Sequence, residues 1–115
     1  MFSLKLKEIL EPIALKYGFK RVGIIDRSLD MRDSITFFAY HEKEEEFADD
    51  EAQVEKIYVQ VDIWSSEWNE NLNDEVDATM RKYFKKEVES RDLYEEDVDI
   101  HHKALRYSIK VKRRG

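Results

Sequence analysis

Between Lys56 and Phe84 the hydrophobic period of this chain changes, and that change restricts the fold more than any other feature. Ile57, Val59, Val61 and Ile63 alternate with Tyr58, Gln60, Asp62 and Trp64. This is the two-residue period of a strand with one buried face. From Trp68 the apolar positions become Trp68, Leu72, Val76, Met80 and Phe84, one stripe of a helix. The changeover falls on Ser65 and Ser66, residues suited to ending a strand and capping a helix. The pattern predicts a strand over 56–64 and a helix over 67–88. A half-buried strand feeding an amphipathic helix belongs to a mixed α and β domain.

The flanking sequence extends the pattern. Leu6, Ile9, Leu10, Ile13 and Tyr17 predict a helix over 3–17, with Ser3 as N-cap and Gly18 as the residue just past its end. Pro12 lies inside and is expected to kink that helix or to start its second half. Phe19–Ile25 reads as a short strand with Gly23 at a bulge, Asp26–Asp33 as a loop, and Ser34–His41 as a β-rich strand. Glu42 to Glu55 carries eight acidic residues against Lys43 alone. Like charges that dense resist compaction, so the stretch predicts a mobile acidic loop between two antiparallel strands. It is far longer than a hairpin needs, and long loops in small domains tend to be functional or disordered. Residues 90–100 form a polar connection with room for one short strand. Leu105, Tyr107, Ile109 and Val111 alternate with Arg106, Ser108, Lys110 and Lys112 in a final strand with a basic outer face. The expected fold is α+β, in the order α-β-β-β-α-β, a single domain over 1–115. Both helices should pack on one face of a mixed or antiparallel sheet of about four to five strands.

Composition limits what this domain can do. Charged residues make up 40% of the chain, well above the usual quarter, and apolar residues 42%. A chain of 115 residues buries roughly 65% of its unfolded surface. That balance suits a thin domain with much solvated surface, or one that completes its burial by self-association. There is no cysteine, which excludes disulfides and thiolate metal sites. The opening MFSLKLKEIL has an acid by Glu8 and no small-residue cleavage site, so it does not read as a signal peptide. No apolar run approaches the roughly 20 residues of a membrane span. These features predict a soluble, cytoplasmic chain. The net charge is −6, but residues 103–115 carry six basic residues and no acid, leaving −12 on the remainder. A body that acidic repels nucleic acid. The basic end has two readings: a phosphate binder, or cations paired with acidic neighbours on their own sheet.

No residue set demands an active site. His101 and His102 follow Glu95, Glu96, Asp97 and Asp99, but adjacent residues of an extended segment point to opposite faces and cannot share one metal ion. The 42–51 acidic run lacks the alternating pattern and the turn glycine of a calcium loop. Gly18, Gly23 and Gly115 are the only glycines, too few for a phosphate-cradling loop, and there is no GxSxG. The chain is expected to be non-enzymatic, with no cofactor and no metal. Trp68 fits the helix stripe and reads as core. Trp64 shares a face with Tyr58, Gln60 and Asp62, and it either covers the second face of the sheet or anchors an interface. The row Tyr58, Gln60, Asp62 faces the row Arg106, Lys110, which simple cross-strand pairing would satisfy.

Three phrases together resemble one family: FFAYHEKEEEFADDE (37–51), YVQVDIWS (58–65) and DLYEEDVDIHHKALRYSIKV (92–111). They are similar to the small tail-terminator, or tail-completion, proteins that join head to tail in long-tailed bacteriophages and in prophages of Gram-positive bacteria. The resemblance covers about residues 35–111; the first thirty match in pattern only. It implies an N-terminal helix before a sheet and an acidic loop joining two strands. It also implies a strand that leads into a long helix, and a segment that enters the last strand. It implies a structural role: a ring, commonly a hexamer, that caps the tail tube and meets the head connector while DNA passes through the lumen unbound. The expected partners are other copies of the chain, a tail-tube protein and a head-connector protein. The expected location is the host cytoplasm during assembly and then the virion tail. The candidate contacts are Glu44, Glu45, Glu46, Asp49 and Asp50 of the acidic loop, Trp64, and Arg106 and Lys110 of the basic strand. The rival reading is a small acidic binding or regulatory module, monomeric or dimeric.

Overall fold

Gly18 has φ +74, a left-handed conformation that side chains disfavour. It ends helix α1 (Phe2–Lys16), as the sequence leads one to expect. Phe19 N–H reaches back to the Ala14 carbonyl (2.8 Å) and Gly18 N–H to Leu15 (3.2 Å), the paired bonds of a Schellman motif. The computed structural model describes residues 2–26, 29–41, 54–87, 91–95 and 100–112, and α1 runs unbroken through Pro12. Ser3 lies inside the helix and does not cap it.

Strand β1 (Arg21–Gly23) is shorter than the predicted Phe19–Ile25. It pairs parallel with Ser34–Thr36 at the start of β2 (Ser34–His41), and Gly23 takes an ordinary ladder position opposite Thr36 with no bulge. Ile24 and Ile25 are exposed, because the chain leaves the sheet there for the 26–33 connection. That connection closes on Asp33, whose φ of +58 is a conformation aspartate tolerates. The Asp33 carboxylate accepts from the Ser66 N–H (3.3 Å) and hydroxyl (3.2 Å), pinning the start of β2 to the end of β3 (Val54–Ser65).

The long strands form the frame. β2 and β3 are antiparallel from Ser34↔Trp64 to His41↔Ile57. β3 pairs antiparallel with β6 (Ile100–Lys112) along its whole length, from Val54↔Lys112 to Ser65↔His101. Two short strands share the far side of β6: β4 (Lys85–Lys86) against Ser108 and Tyr107, and β5 (Arg91–Glu95) against Ala104 to Ile100. The sheet order is β1-β2-β3-β6, with β4 and β5 side by side on the last edge. The polar 90–100 connection thus contains the short strand foreseen for it, and β4 is an addition.

Helix α2 (Glu70–Met80) corrects the predicted 67–88 at both ends. Asn69 caps it, accepting the Leu72 N–H (3.1 Å), so Trp68 falls outside the first turn. Beyond Met80 the chain tightens: Tyr83 and Phe84 N–H both reach the Met80 carbonyl, and Lys85 then joins β6. Phe84 keeps its core contact from that turn, so its place in the stripe survives although the helix does not.

Both helices lie on one face of the sheet. Leu6, Leu10 and Ile13 of α1, with Leu72, Val76 and Met80 of α2, share one core with Ile35, Phe37, Val59, Val61, Ile63, Leu105 and Tyr107. Fully burying an aliphatic side chain is worth about 1.5–3 kcal/mol, and this cluster is what fixes the strand register, since a one-residue slip would turn every inward side chain outward. Glu75 ties the helices together, accepting from Lys16 (2.8 Å) and from the Tyr17 hydroxyl (3.1 Å). Tyr107 is fully buried and donates its hydroxyl to Asp77 of α2 at 2.7 Å.

Candidate functional site

The sheet face away from the helices carries the residues that the core does not explain. On it, β3 presents Lys56, Tyr58, Gln60, Asp62 and Trp64, and β6 presents His102, Ala104, Arg106, Ser108 and Lys110. β2 adds Ser34, Thr36, Phe38 and Tyr40. No helix covers this face among the described residues.

One end of the face is buried and polar. Asp62 and His102 are 5% and 9% exposed, and His102 Nε2 lies 2.6 Å from Asp62 Oδ1. Gln60 Nε2 donates to both Asp62 oxygens (3.0 and 3.2 Å), and Arg106 Nε–H donates to Gln60 Oε1 (3.2 Å). Trp64 lies flat on the His102 ring, centroids 3.8 Å apart, and its Nε1–H donates to Thr36 Oγ1 (2.9 Å). The polar groups satisfy one another, as burial requires. Among the described residues no hydroxyl is hydrogen-bonded to the imidazole. The set ties β2, β3 and β6 together across the sheet.

The middle of the face is aromatic. Phe38 and Tyr40 stack at 5.8 Å, Tyr40 and Tyr58 at 5.3 Å across the β2–β3 pair, and the Lys56 ammonium sits 4.9 Å from the Tyr58 ring centre. Phe38 remains 44% exposed.

The far end is cationic. Lys56 stands directly opposite Lys110, and Lys85 of β4 opposite Ser108. With Ser108 and Ile109 these lysines line a pocket of about 350 Å³. Glu87 lies among them: the Ser108 hydroxyl donates to Glu87 Oε2 (2.7 Å), and Lys56 Nζ is 3.7 Å from Oε1. The Ser108 hydroxyl, with Lys56 and Lys85 behind it, outweighs burial and holds the Glu87 carboxyl below the usual range.

The predicted contact residues divide accordingly. Glu44, Glu45, Glu46, Asp49 and Asp50 lie outside the described residues. Trp64 takes the first of its two readings: it is 6% exposed and covers the sheet, which removes it as an exposed anchor. Arg106 pairs with Gln60, the cross-strand partnership that the sequence offered as the plain explanation of the basic row. Lys110 does not follow suit, since its opposite residue is another lysine. Trp68, read as core, is 38% exposed; its Nε1–H donates to Glu70 (2.8 Å) and Lys103 lies over its ring. His101 and His102 diverge as expected, His102 against Trp64 and His101 beside Trp68. Sequence reasoning missed the roles of Lys56 and Lys85. Alternation places Lys56 on the Tyr58 face, but only the β3–β6 register sets it against Lys110.

No protein-family model matches the chain, and no curated protein matches it. Among the described residues no helix is long and apolar enough to cross a membrane.

Proposed function

We propose that this chain is a non-enzymatic structural protein of phage or prophage tail assembly, forming a ring that caps the tail tube and joins it to the head connector. The observation that carries the reading is where the three resembling phrases fall. The described part of the first, 37–41, lies in β2; 58–65 lies in β3; and the described part of the third runs through β5 and β6. They occupy neighbouring strands of one sheet, on a face that no helix covers among the described residues. The order of elements agrees with what the resemblance implies: α1 precedes the sheet, β3 feeds α2, and β5 leads into β6.

The open face suits a protein that works by contact. It offers exposed aromatic area beside a cationic end, a composition common at interfaces. Its partners on this reading are further copies of the chain, closing into a homo-hexamer, then the tube protein and the connector. The acidic remainder of each subunit would repel the DNA backbone, so DNA would traverse the lumen without specific binding. The chain would act in the host cytoplasm during assembly and afterwards in the virion tail.

Light scattering tests this directly, on the chain alone and mixed with the tail-tube protein encoded in the same genome. The expected result is a ring in one of the two samples, or tubes capped at fixed length. A monomer indifferent to the tube protein at high concentration would refute the ring and favour the small acidic binding module.

A further inference from the structure

β6 is covered on its outer side only in part. β5 pairs with Ala104 to Ile100, and β4 with Ser108 and Tyr107. The chain reaches Lys85 from the core, through buried Phe84, so β4 goes no further than Ser108. Residues 109–112 therefore have β3 on one side and no strand on the other among the described residues. The Arg106 carbonyl accepts the Glu87 N–H (2.9 Å), so the Arg106 backbone groups point to this outer side. In an antiparallel ladder the N–H and C=O of one residue point the same way, and the direction repeats at every second residue. β6 runs along β3 in unbroken register, so the Lys110 N–H and C=O point outward too. No strand meets them among the described residues.

The side chains around that position are cationic. Lys56 stands opposite Lys110 on the open face, a like-charge pairing that is destabilising. Lys85 shares the face, level with Ser108. Glu87 answers part of this charge, through Ser108 and Lys56. Lys85 and Lys110 are exposed and have no ion-pair partner among the described residues. With Ser108 and Ile109 the three lysines enclose about 350 Å³, within the usual range of ligand sites.

Lysines on a sheet edge ordinarily keep other strands away. They do so by charge, and a strand with an acid at the matching position reverses the sign. A strand laid antiparallel along 109–112 would bond Lys110 through the residue directly opposite. The side chain of that residue would lie on the open face beside Lys110, and about 7 Å along the edge from Lys85. A carboxylate there meets both unmatched ammonium groups, whereas a basic residue adds to the repulsion, so the edge selects by charge. No arginine lines the pocket to grip a phosphate in two-pronged fashion, and the outward Lys110 backbone calls for another backbone. Both points favour a peptide.

We infer that the outer edge of β6 at residues 109–112 accepts an extended acidic segment of a partner protein as an added strand, with a carboxylate seated between Lys85 and Lys110. The inference does not need the ring reading. The probe is a capped peptide, acetyl-TEVEVT-amide, titrated into the isotope-labelled full chain and followed by amide NMR at low and high salt. Shifts should centre on residues 108–112, and exchange of the Lys110 amide should slow. Affinity should weaken with salt and fall about tenfold in Lys85→Glu/Lys110→Glu. Both positions are exposed, so the fold should persist, which circular dichroism checks; Lys85→Gln/Lys110→Gln is the milder second variant and should lose less. Equal binding to wild type and both variants overturns the site. Equal binding of the same peptide N-methylated at both glutamates, which keeps the charge but loses the ladder N–H groups, overturns strand addition. Equal binding of acetyl-TKVKVT-amide overturns selection by charge. A thymidine octanucleotide that displaces the peptide at equal concentration shows a general anion patch and overturns the peptide assignment. Self-association that the peptide reverses gives the edge to a second copy and overturns the separate partner. A ring that forms from a chain indifferent to the peptide overturns this inference and leaves the ring reading standing.

Discussion

Removing one oxygen from Tyr107 should cost this fold about 1.5–2 kcal/mol. Tyr107 is fully buried, and its hydroxyl reaches Asp77 Oδ1 at 2.7 Å, joining the central strand to α2. Hydrogen bonds to charged groups contribute about 1.5–3 kcal/mol. Asp77 would still keep Lys86 at 3.0 Å in Tyr107→Phe, which places the loss in the lower half of that range. Unfolding entropy of about 2.1 cal/mol/K per residue over 115 residues gives about 0.24 kcal/mol/K. The midpoint should therefore drop by about 6–8 °C. The penalty should also depend on pH. Burial alone would raise the Asp77 carboxyl, but Tyr107, Lys86 and Arg81 outweigh it and hold it below its ordinary value. A depressed carboxyl stabilises the fold above its unfolded pKa of about 4, and that stability is lost as pH falls through the lower folded value. In acid the Tyr107 bond becomes one between neutral groups, and its loss should cost about 1 kcal/mol. The alkaline side has the opposite sign. Burial and the Asp77 bond raise the Tyr107 phenol, so its contribution is complete below about pH 10 and lost above it. Tyr107→Phe should lack that alkaline loss. Urea unfolding followed by circular dichroism at acid, neutral and alkaline pH measures all three. A neutral-pH change below about 0.5 kcal/mol, or one that does not vary with pH, would refute the reasoning.

Asp62→Ala strands the His102 imidazole and the Gln60 amide in a buried site and should cost about 2–4 kcal/mol by urea midpoint; a loss under about 1 kcal/mol would mean that the cluster does not hold the sheet. Gly18→Ala should cost about 1 kcal/mol, from backbone strain alone, because the new methyl would meet nothing within 4 Å. Gly18→Asn should cost less, and equal losses would point away from the left-handed turn. Trp68→Ala should cost less than about 1 kcal/mol, where a core tryptophan would cost about 3–5. The remaining fluorescence should come from a shielded Trp64, and ready quenching by acrylamide would contradict its burial.

The legible parts of the fold are those fixed by local pattern. β2 spans Ser34–His41 as β-propensity indicates, and Gly18 terminates α1 because few other residues suit a left-handed turn. α2 was less legible, because helical spacing continues through Phe84 although the helix does not. A turn at Met80 carries Phe84 to the same core, and Lys85 and Lys86 then pair with β6. Trp68 misled for the same reason: its spacing fits the stripe, but Asn69 caps the helix one residue later. β1 is shorter than its apolar run: only Arg21–Gly23 pair with β2, and Ile24 and Ile25 leave the sheet although β2 continues beyond Thr36. The open face was legible as a row of residues but not as a site. The Asp62–His102 contact and the Lys56–Lys110 opposition join positions some forty to fifty-four residues apart, and they exist only once register is known.

β6 is the last strand of the sheet in chain order, yet it pairs with three others: β3 on one side, β4 and β5 on the other. During synthesis α1, β1, β2, β3 and α2 would all leave the ribosome before it. Until β6 arrives, Val59, Val61 and Ile63 border a bare backbone edge twelve residues long, the kind of surface on which nascent chains stick to one another. The ladder that covers it is non-local, so loop closure comes before any contact rewards it, and folding is correspondingly slow. Expression should therefore be more sensitive to temperature and synthesis rate than the finished domain's stability would suggest. Substitutions that weaken β6 should show first as insoluble chain and only second as a lowered melting point.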